Sequence, residues 1–377
     1  MFGTVLTVTV TLMHAYVFLR AASVSLITRH VSRPVIFAAA LLLWLLFCFG
    51  RLFRHDASGL LASALEFWTM SWMVVVFLTT ICLLPVDILT VFGLLFPRHA
   101  AMLRGCALAA GAALSIIAFI QGLRPPVVVD YEVAMKGLPV ELDGTVIVGM
   151  SDLHLGEHLG ARWLEGRAAQ IRGLKPDLIV LLGDIFETDG ERAAGYLKAF
   201  RTLSAPMGLW AVLGNHEFYG RRDLSVSMLE QSGFVVLRDE WAEVRPGLVL
   251  AGVEDLTASR RGRGRQNVDH VAAALSNRPP GATILFSHTP WRAEQAAAGG
   301  AGLMLSGHTH GGQVWPFGYV VKRRYPLLAG RYEVDGMTVI VSRGAGTWGP
   351  RMRLWRPGEI LRVTLRSASA ADTPAAE

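Results

Sequence analysis

The sequence predicts an N-terminal four-helix transmembrane region followed by an α/β domain, and three observations carry that reading. The first third of the chain holds four long apolar stretches. From Val127 onward the pattern changes to short β-branched runs separated by amphipathic helical stretches. Five of those runs lead directly into Asp, His or Asn.

The apolar stretches lie at about 3–26, 34–53, 67–92 and 107–123, and a bilayer is spanned by roughly 20 apolar residues in a helix. The hydrophobic fraction is 52% and the mean hydropathy +0.40, too apolar for a wholly soluble protein. The excess sits in residues 1–124, so the expected division is a helical region over 1–124, an α/β domain over 125–366 and a disordered tail over 367–377. The first stretch lacks a basic lead-in and is followed by a second apolar run, which favours a retained helix over a cleaved signal peptide. Arg20, Arg29, Arg33, Arg98 and Arg104 flank the stretches on one side, and Arg51, Arg54 and Arg124 on the other. Excess basic charge marks the cytoplasmic side. Four spans then place the α/β domain outside the cytoplasm. Asp87, near the end of the third stretch, is read either as a functional intramembrane carboxylate or as a packing or headgroup-level residue.

Cys48, Cys82 and Cys106 all fall in the apolar runs, so the α/β part has no disulfide framework and no thiolate metal site. The net charge of +6 and pI near 9.5 suit anionic headgroups or phosphorylated substrates, or reflect arginine at membrane flanks. The run Arg260-Arg261-x-Arg263-x-Arg265 is read as a solvated loop or a headgroup contact. It lacks the interleaved aromatic residues that nucleic-acid binding needs.

Within the α/β part, residues 145–150 read as a strand running into Asp152 and His154. Residues 177–182 precede Gly183-Asp184, 209–213 precede Gly214-Asn215-His216-Glu217, 283–286 precede Ser287-His288, and 303–305 precede His308-x-His310. Continuous apolar runs of this length suit strands buried on both faces. Helices are expected at 162–173, 191–203 and 224–231. Polar residues at the carboxyl ends of neighbouring strands converge on one crevice. Two carboxylates, one amide and four imidazoles suit divalent ions that accept oxygen and nitrogen donors. Alternation along an extended D-x-H segment puts Asp152 and His154 on one side.

At these residues the chain resembles the calcineurin-like metallophosphoesterase superfamily, with D-x-H, G-D, G-N-H-E, S-H and G-H-T-H blocks in order over about residues 145–312. Gly307-His308-Thr309-His310-Gly311-Gly312-Gln313, Ser342-Arg343-Gly344-Ala345-Gly346 and Pro350-Arg351-Met352-Arg353 resemble its bacterial membrane-associated branch. The resemblance implies a four-layer αββα sandwich that hydrolyses phosphomonoester, phosphodiester or pyrophosphate bonds, set in a bacterial cell membrane. It implies two divalent metal ions, manganese foremost, with iron, zinc or magnesium as alternatives. Asp152, His154 and His310 would hold one ion and Asn215, His288 and His308 the other, with Asp184 bridging. His216 corresponds to the catalytic histidine, oriented by Asp189 or Glu187. The substrate would be a phosphorylated small molecule or lipid. A UDP-diacylglucosamine-type pyrophosphatase and a non-catalytic metal-binding scaffold are the alternatives. Arg343 is a candidate for gripping a substrate phosphate or for an ion pair beside a glycine turn. His158 and His270 are read as surface and structural residues.

Overall fold

The computed structural model describes residues 2–52, 60–156, 158–187, 193–219 and 222–368. It divides into two compact units, residues 1–124 with Gly349–Trp355, and residues 125–348 with 356–377.

The first unit is helical: α1 (Phe2–Ala21), α2 (Ser25–Thr28), α3 (Arg33–Leu52), α4 (Leu60–Leu89) and α5 (Pro97–Leu123). Four of these are long and apolar enough to cross a membrane: Gly3–Ala21, Arg33–Leu52, Ser63–Leu89 and Pro97–Leu123. Their outward faces carry large apolar side chains such as Leu12, Leu42 and Leu61, as lipid requires and water penalises. Helix α5 starts well before the expected residue 107, with Pro97 in its first turn, where a missing N–H costs nothing. Arg104 hid this extension from a hydropathy reading. The structure buries it: its guanidinium donates to Asp87 at 2.8 Å, and Tyr16 and Arg20 complete the carboxylate's shell at 2.6 Å each. Asp87 is therefore a packing residue that ties α1, α4 and α5 together. Gly349–Trp355, expected in the α/β domain, packs with the helical unit, where the Arg353 N–H donates to the Ala118 carbonyl and the Trp355 N–H to Gln121. Phe53 and Arg54 lie outside the described residues.

Among its described residues the second unit holds twelve strands: β1 (Val127–Lys136), β2 (Val146–Met150), β3 (Leu178–Leu182), β4 (Leu209–Val212), β5 (Phe234–Val236), β6 (Glu240–Arg245), β7 (Leu248–Gly252), β8 (Ala282–Phe286), β9 (Leu303–Ser306), β10 (Gly330–Val334), β11 (Met337–Val341) and β12 (Glu359–Ala368). They form two six-stranded sheets, ordered β1-β12-β2-β3-β4-β5 and β10-β11-β9-β8-β7-β6. The β2-β3-β4-β5 and β7-β8-β9-β11 runs are parallel.

The sheets face one another across a core that includes Ile147, Val180, Val212, Leu250, Ile284, Leu305 and Val363. Helices α6 (Ala161–Gly173), α7 (Ala193–Phe200) and α8 (Arg222–Gln231) cover the outside of the first sheet. Beyond α9 (Leu256–Arg260), α10 (His270–Leu275) and α11 (Ala293–Ala298) cover the second, and α12 (Gly318–Arg324) follows. This is the four-layer αββα sandwich. Each central strand is buried on both faces because helices pack outside and the other sheet inside, which explains runs such as Leu178–Leu182 with no polar interruption. Strand β12 runs to Ala368, two residues into the tail expected from Ser367; residues 369–377 lie outside the described residues.

Candidate metal centre

Each expected donor stands just beyond the carboxyl end of a parallel strand: Asp152 and His154 after β2, Asp184 after β3, Asn215 and His216 after β4, His288 after β8, and His308 and His310 after β9. The D-x-H segment is not extended as expected. Asp152, His154, Asp184, His308 and His310 all adopt positive φ, between 47° and 73°, a left-handed conformation that costs non-glycine residues energy. It turns the chain sharply off the strand end and aims these side chains inward. Hydrogen bonds hold it there: the Asp152 N–H donates to the Gly183 carbonyl, the His154 N–H to the Asp184 carbonyl, and the His308 N–H to both Asp152 carboxylate oxygens at 3.1 Å. Gly183 and Gly214 let two of these loops touch. A Cβ on Gly214 would fall 2.2 Å from Asp184 Oδ1, so the G-N-H turn could not sit against Asp184 with any other residue.

Among the described residues, three sets of donor atoms come together, each within 4.8 Å: Asp152, His154 and His310; His154, Asp184 and His216; and Asp184, His288 and His308. His310 Nε2 lies 3.3 Å from Asp152 Oδ1 and 3.1 Å from His154 Nε2. His288 Nε2 lies 3.2 Å from both Asp184 Oδ2 and His308 Nδ1. Asp184 Oδ2 is also 3.9 Å from the Nε2 atoms of His154 and His216, so one carboxylate faces all the sets. Asn215 Oδ1 is buried without a hydrogen-bond partner among the described residues. A buried carbonyl oxygen left unpaired is costly, and a divalent cation would satisfy it together with the crowded imidazoles. The residues present fit two such ions.

Residues outside the expected set hold the donors in place. The buried His288 Nδ1–H donates to the Leu182 carbonyl at 2.7 Å, leaving Nε2 free to ligate. His308 Nε2 pairs with the Tyr325 hydroxyl at 2.8 Å, leaving Nδ1 to the site. Glu187 Oε1 lies 2.5 Å from His154 Nδ1 and 3.0 Å from His216 Nδ1. Asp189, the other residue considered for orienting His216, lies outside the described residues. Glu217 is fully buried and accepts from the backbone N–H groups of Asp184, Ile185, Phe186 and Gly214. Its position in G-N-H-E was visible in the sequence, but nothing local showed that it latches one strand-end loop to another. Tyr325 carried no signal, being part of no motif.

The charge balance follows from this packing. Burial alone would raise the Asp184 carboxyl, but His288 and His216 hold it well below the usual range. Burial opposes a charge on His288, which Asp184, Asp152 and Asp255 nonetheless raise well above the ordinary value. His216 behaves likewise: Asp184 and Glu187 overcome burial and lift it to about 9. His308 is pushed down to about 3 by burial and by the neighbouring His288. Burial and Asp184 push Glu217 up to about 6.

Arg343 is engaged elsewhere. Its Nε donates to Glu359 Oε2 at 2.7 Å, and its own N–H donates to Oε1 at 2.7 Å. His158 is half-buried and belongs to none of the three donor sets. His270 is buried against Asp239, with Nδ1 2.8 Å from Oδ2. The Arg260–Arg265 segment has its arginines exposed, as a solvated loop would, and three of them also lie over aromatic rings: Arg260 over Trp291, and Arg261 and Arg263 over Tyr219.

A family model described as calcineurin-like phosphoesterase matches residues 145–312. A metallophosphoesterase from Campylobacter jejuni is 30% identical over 247 residues, 65% of this chain and 64% of that protein. A transmembrane protein with a metallophosphoesterase domain from Danio rerio is 30% identical over 268 residues, 68% of this chain and 61% of that one. A metallophosphoesterase from Aquifex aeolicus is 35% identical over 222 residues, covering 58% of this chain and 84% of that protein. The chain thus spans less than two thirds of the length of the first two relatives.

Proposed function

The chain belongs to the calcineurin-like phosphoesterase family, and on that premise we propose that it is a membrane-anchored hydrolase cleaving phosphoester bonds at a two-ion centre. One observation carries the reading: two donor sets, Asp152-His154-His310 and Asp184-His288-His308, share the neighbourhood of one carboxylate, Asp184. Asn215, with its unpartnered buried Oδ1, joins the second set. The ions, manganese by preference, would activate water and neutralise phosphoryl oxygens.

The chain's own residues supply the rest. Glu187 accepts from Nδ1–H of His216, which fixes the ring and turns Nε2 toward Asp184. From there His216 delivers a proton to the leaving oxygen as the bond to phosphorus breaks. Glu187 also fixes the His154 ring, so one carboxylate orients a metal ligand and the proton donor together. The substrate is a phosphorylated small molecule or lipid, and the domain lies on the extracytoplasmic face of a bacterial cell membrane, as the arginine distribution supports.

Hydrolysis of bis(4-nitrophenyl) phosphate and 4-nitrophenyl phosphate by the full-length, manganese-loaded protein tests this. Turnover that is abolished by Asp184→Asn is expected. A metal-loaded protein hydrolysing neither ester, nor any member of a lipid-phosphate panel, would overturn it. A reporter fused to the C-terminus reads the sidedness separately.

A further inference from the structure

Two tyrosines rest directly on histidines of the centre. The ring centroids of Tyr219 and His216 are 5.2 Å apart, and those of Tyr325 and His308 are 4.8 Å apart. Each tyrosine leads outward to arginines. Arg261 donates to the Tyr219 hydroxyl, and the guanidinium carbons of Arg261 and Arg263 lie 6.0 and 5.2 Å from the centre of its ring. Trp291 stacks on Tyr325 at 5.4 Å, and Arg324 and Arg260 lie 4.5 and 5.7 Å from the Trp291 ring centre.

These four arginines differ from their neighbours in one respect. Arg238 is neutralised by Glu254, Arg265 by Asp239 and Arg343 by Glu359. Among the described residues, Arg260, Arg261, Arg263 and Arg324 have no carboxylate within salt-bridge reach. An aromatic face attracts a guanidinium and holds its plane; Arg261 gives one N–H to the Tyr219 hydroxyl and Arg263 one to the Phe218 carbonyl, and the other N–H groups of the edge can meet acceptor oxygens. That edge matches phosphate geometry, two N–H groups to two oxygens. The rings are already covered by guanidinium groups, so the rim is built for an anion and not for stacking a base. A phosphoryl group at the donor sets would be neutralised by the ions there. The charge on the rim is in excess of that need.

We propose that Arg260, Arg261, Arg263 and Arg324 form a clamp for a second anionic phosphate of the substrate, so that the enzyme favours phosphoesters carrying two phosphates over those carrying one. The proposal rests on the phosphoesterase reading and narrows its substrate class. It also gives the basic loop a role that the ion pair on Arg343 leaves unfilled.

The test uses the full-length protein in detergent and two probes: symmetric diphenyl diphosphate, with a phenyl group on each phosphorus, and bis(4-nitrophenyl) phosphate. Calorimetric binding to chelator-treated protein gives a readout without turnover, and KM and kcat are measured on the manganese-loaded protein. The wild type should prefer the diphosphate probe. In Arg261→Ala/Arg263→Ala and in Arg324→Ala that preference should fall about tenfold or more, in affinity and in KM, because charge-assisted hydrogen bonds are lost. Arg261→Lys/Arg263→Lys should recover part of it, and rising salt should erode it in the wild type. A wild type with no preference, or variants that retain it, would overturn the clamp. Failure of the wild type to hydrolyse either probe counts against the phosphoesterase reading instead, and the calorimetric preference still decides the clamp.

Discussion

Glu187 Oε1 lies 3.0 Å from Nδ1 of His216, and the same oxygen lies 2.5 Å from Nδ1 of His154. A single carboxylate therefore sets the ring orientation of the proposed proton donor and of a metal-facing histidine. Glu187→Gln removes the charge while keeping the shape. Turnover of bis(4-nitrophenyl) phosphate should fall about 10–100-fold, the usual effect of losing such a supporting partner. A variant with wild-type kcat would show that His216 is oriented by something else.

The chelator-treated protein should lose stability as pH rises. His216 is lifted to about 9 from an ordinary 6.5, so the folded state binds this proton more tightly than the unfolded state. Its contribution is present in full below pH 6.5 and is lost as pH rises through 9. His288, raised by the same carboxylate Asp184, adds with the same sign. The thermal midpoint should therefore fall across this window, and His216→Gln should flatten the fall. A midpoint climbing from pH 6.5 to 9 would contradict the sign.

Metal binding should release protons. His288 spends its Nδ1–H on the Leu182 carbonyl, so only Nε2 can ligate, and that nitrogen carries the proton held by Asp184. Metal affinity should drop as pH falls. Titration of manganese into metal-free protein, in two buffers of different ionisation heat, measures the proton count directly. Zero release near neutral pH is the result that this picture forbids.

Glu217→Gln tests the latch between the strand-end loops. The carboxylate accepts four backbone N–H groups, whereas an amide turns its NH₂ toward two of them. Unpaired buried donors cost on the order of 3 kcal/mol in total, and Asp184 and Asn215 lose their fixed positions. Chemical unfolding and metal affinity should both weaken. An unchanged unfolding curve would mean that the loops are held otherwise.

Arg343→Ala should act on stability before it acts on substrate. It strips the fully buried Glu359 of its guanidinium partner, and an uncompensated buried charge costs about 3–5 kcal/mol. The expected signature is a lower unfolding midpoint with a comparatively small change in KM. A large KM change at unaltered stability would return Arg343 to the substrate.

The features legible in the sequence were those written into consecutive residues. Buried strands are apolar without a break, so Leu178–Leu182 announces both a central strand and the Asp184 that ends it. Bilayer helices show in local hydropathy for the same reason. What the sequence could not show depends on residues distant in the chain. Arg104 reads as the end of a polar flank until Asp87 neutralises it inside the helical unit. Arg343 reads equally as a phosphate ligand or as an ion-paired residue, and only the distant Glu359 favours the second.

The sequence by itself determined the two-part architecture, the chemical types of the donors and their places at strand ends, because hydropathy and motif spacing are local. Only the tertiary structure decided how those donors face one another, which carboxylates hold them, and where the arginines stand that have no carboxylate partner among the described residues. Left-handed turns at Asp152 and His154, the Glu217 latch and the arginine rim all depend on contacts that exist only once the strand-end loops have been brought together.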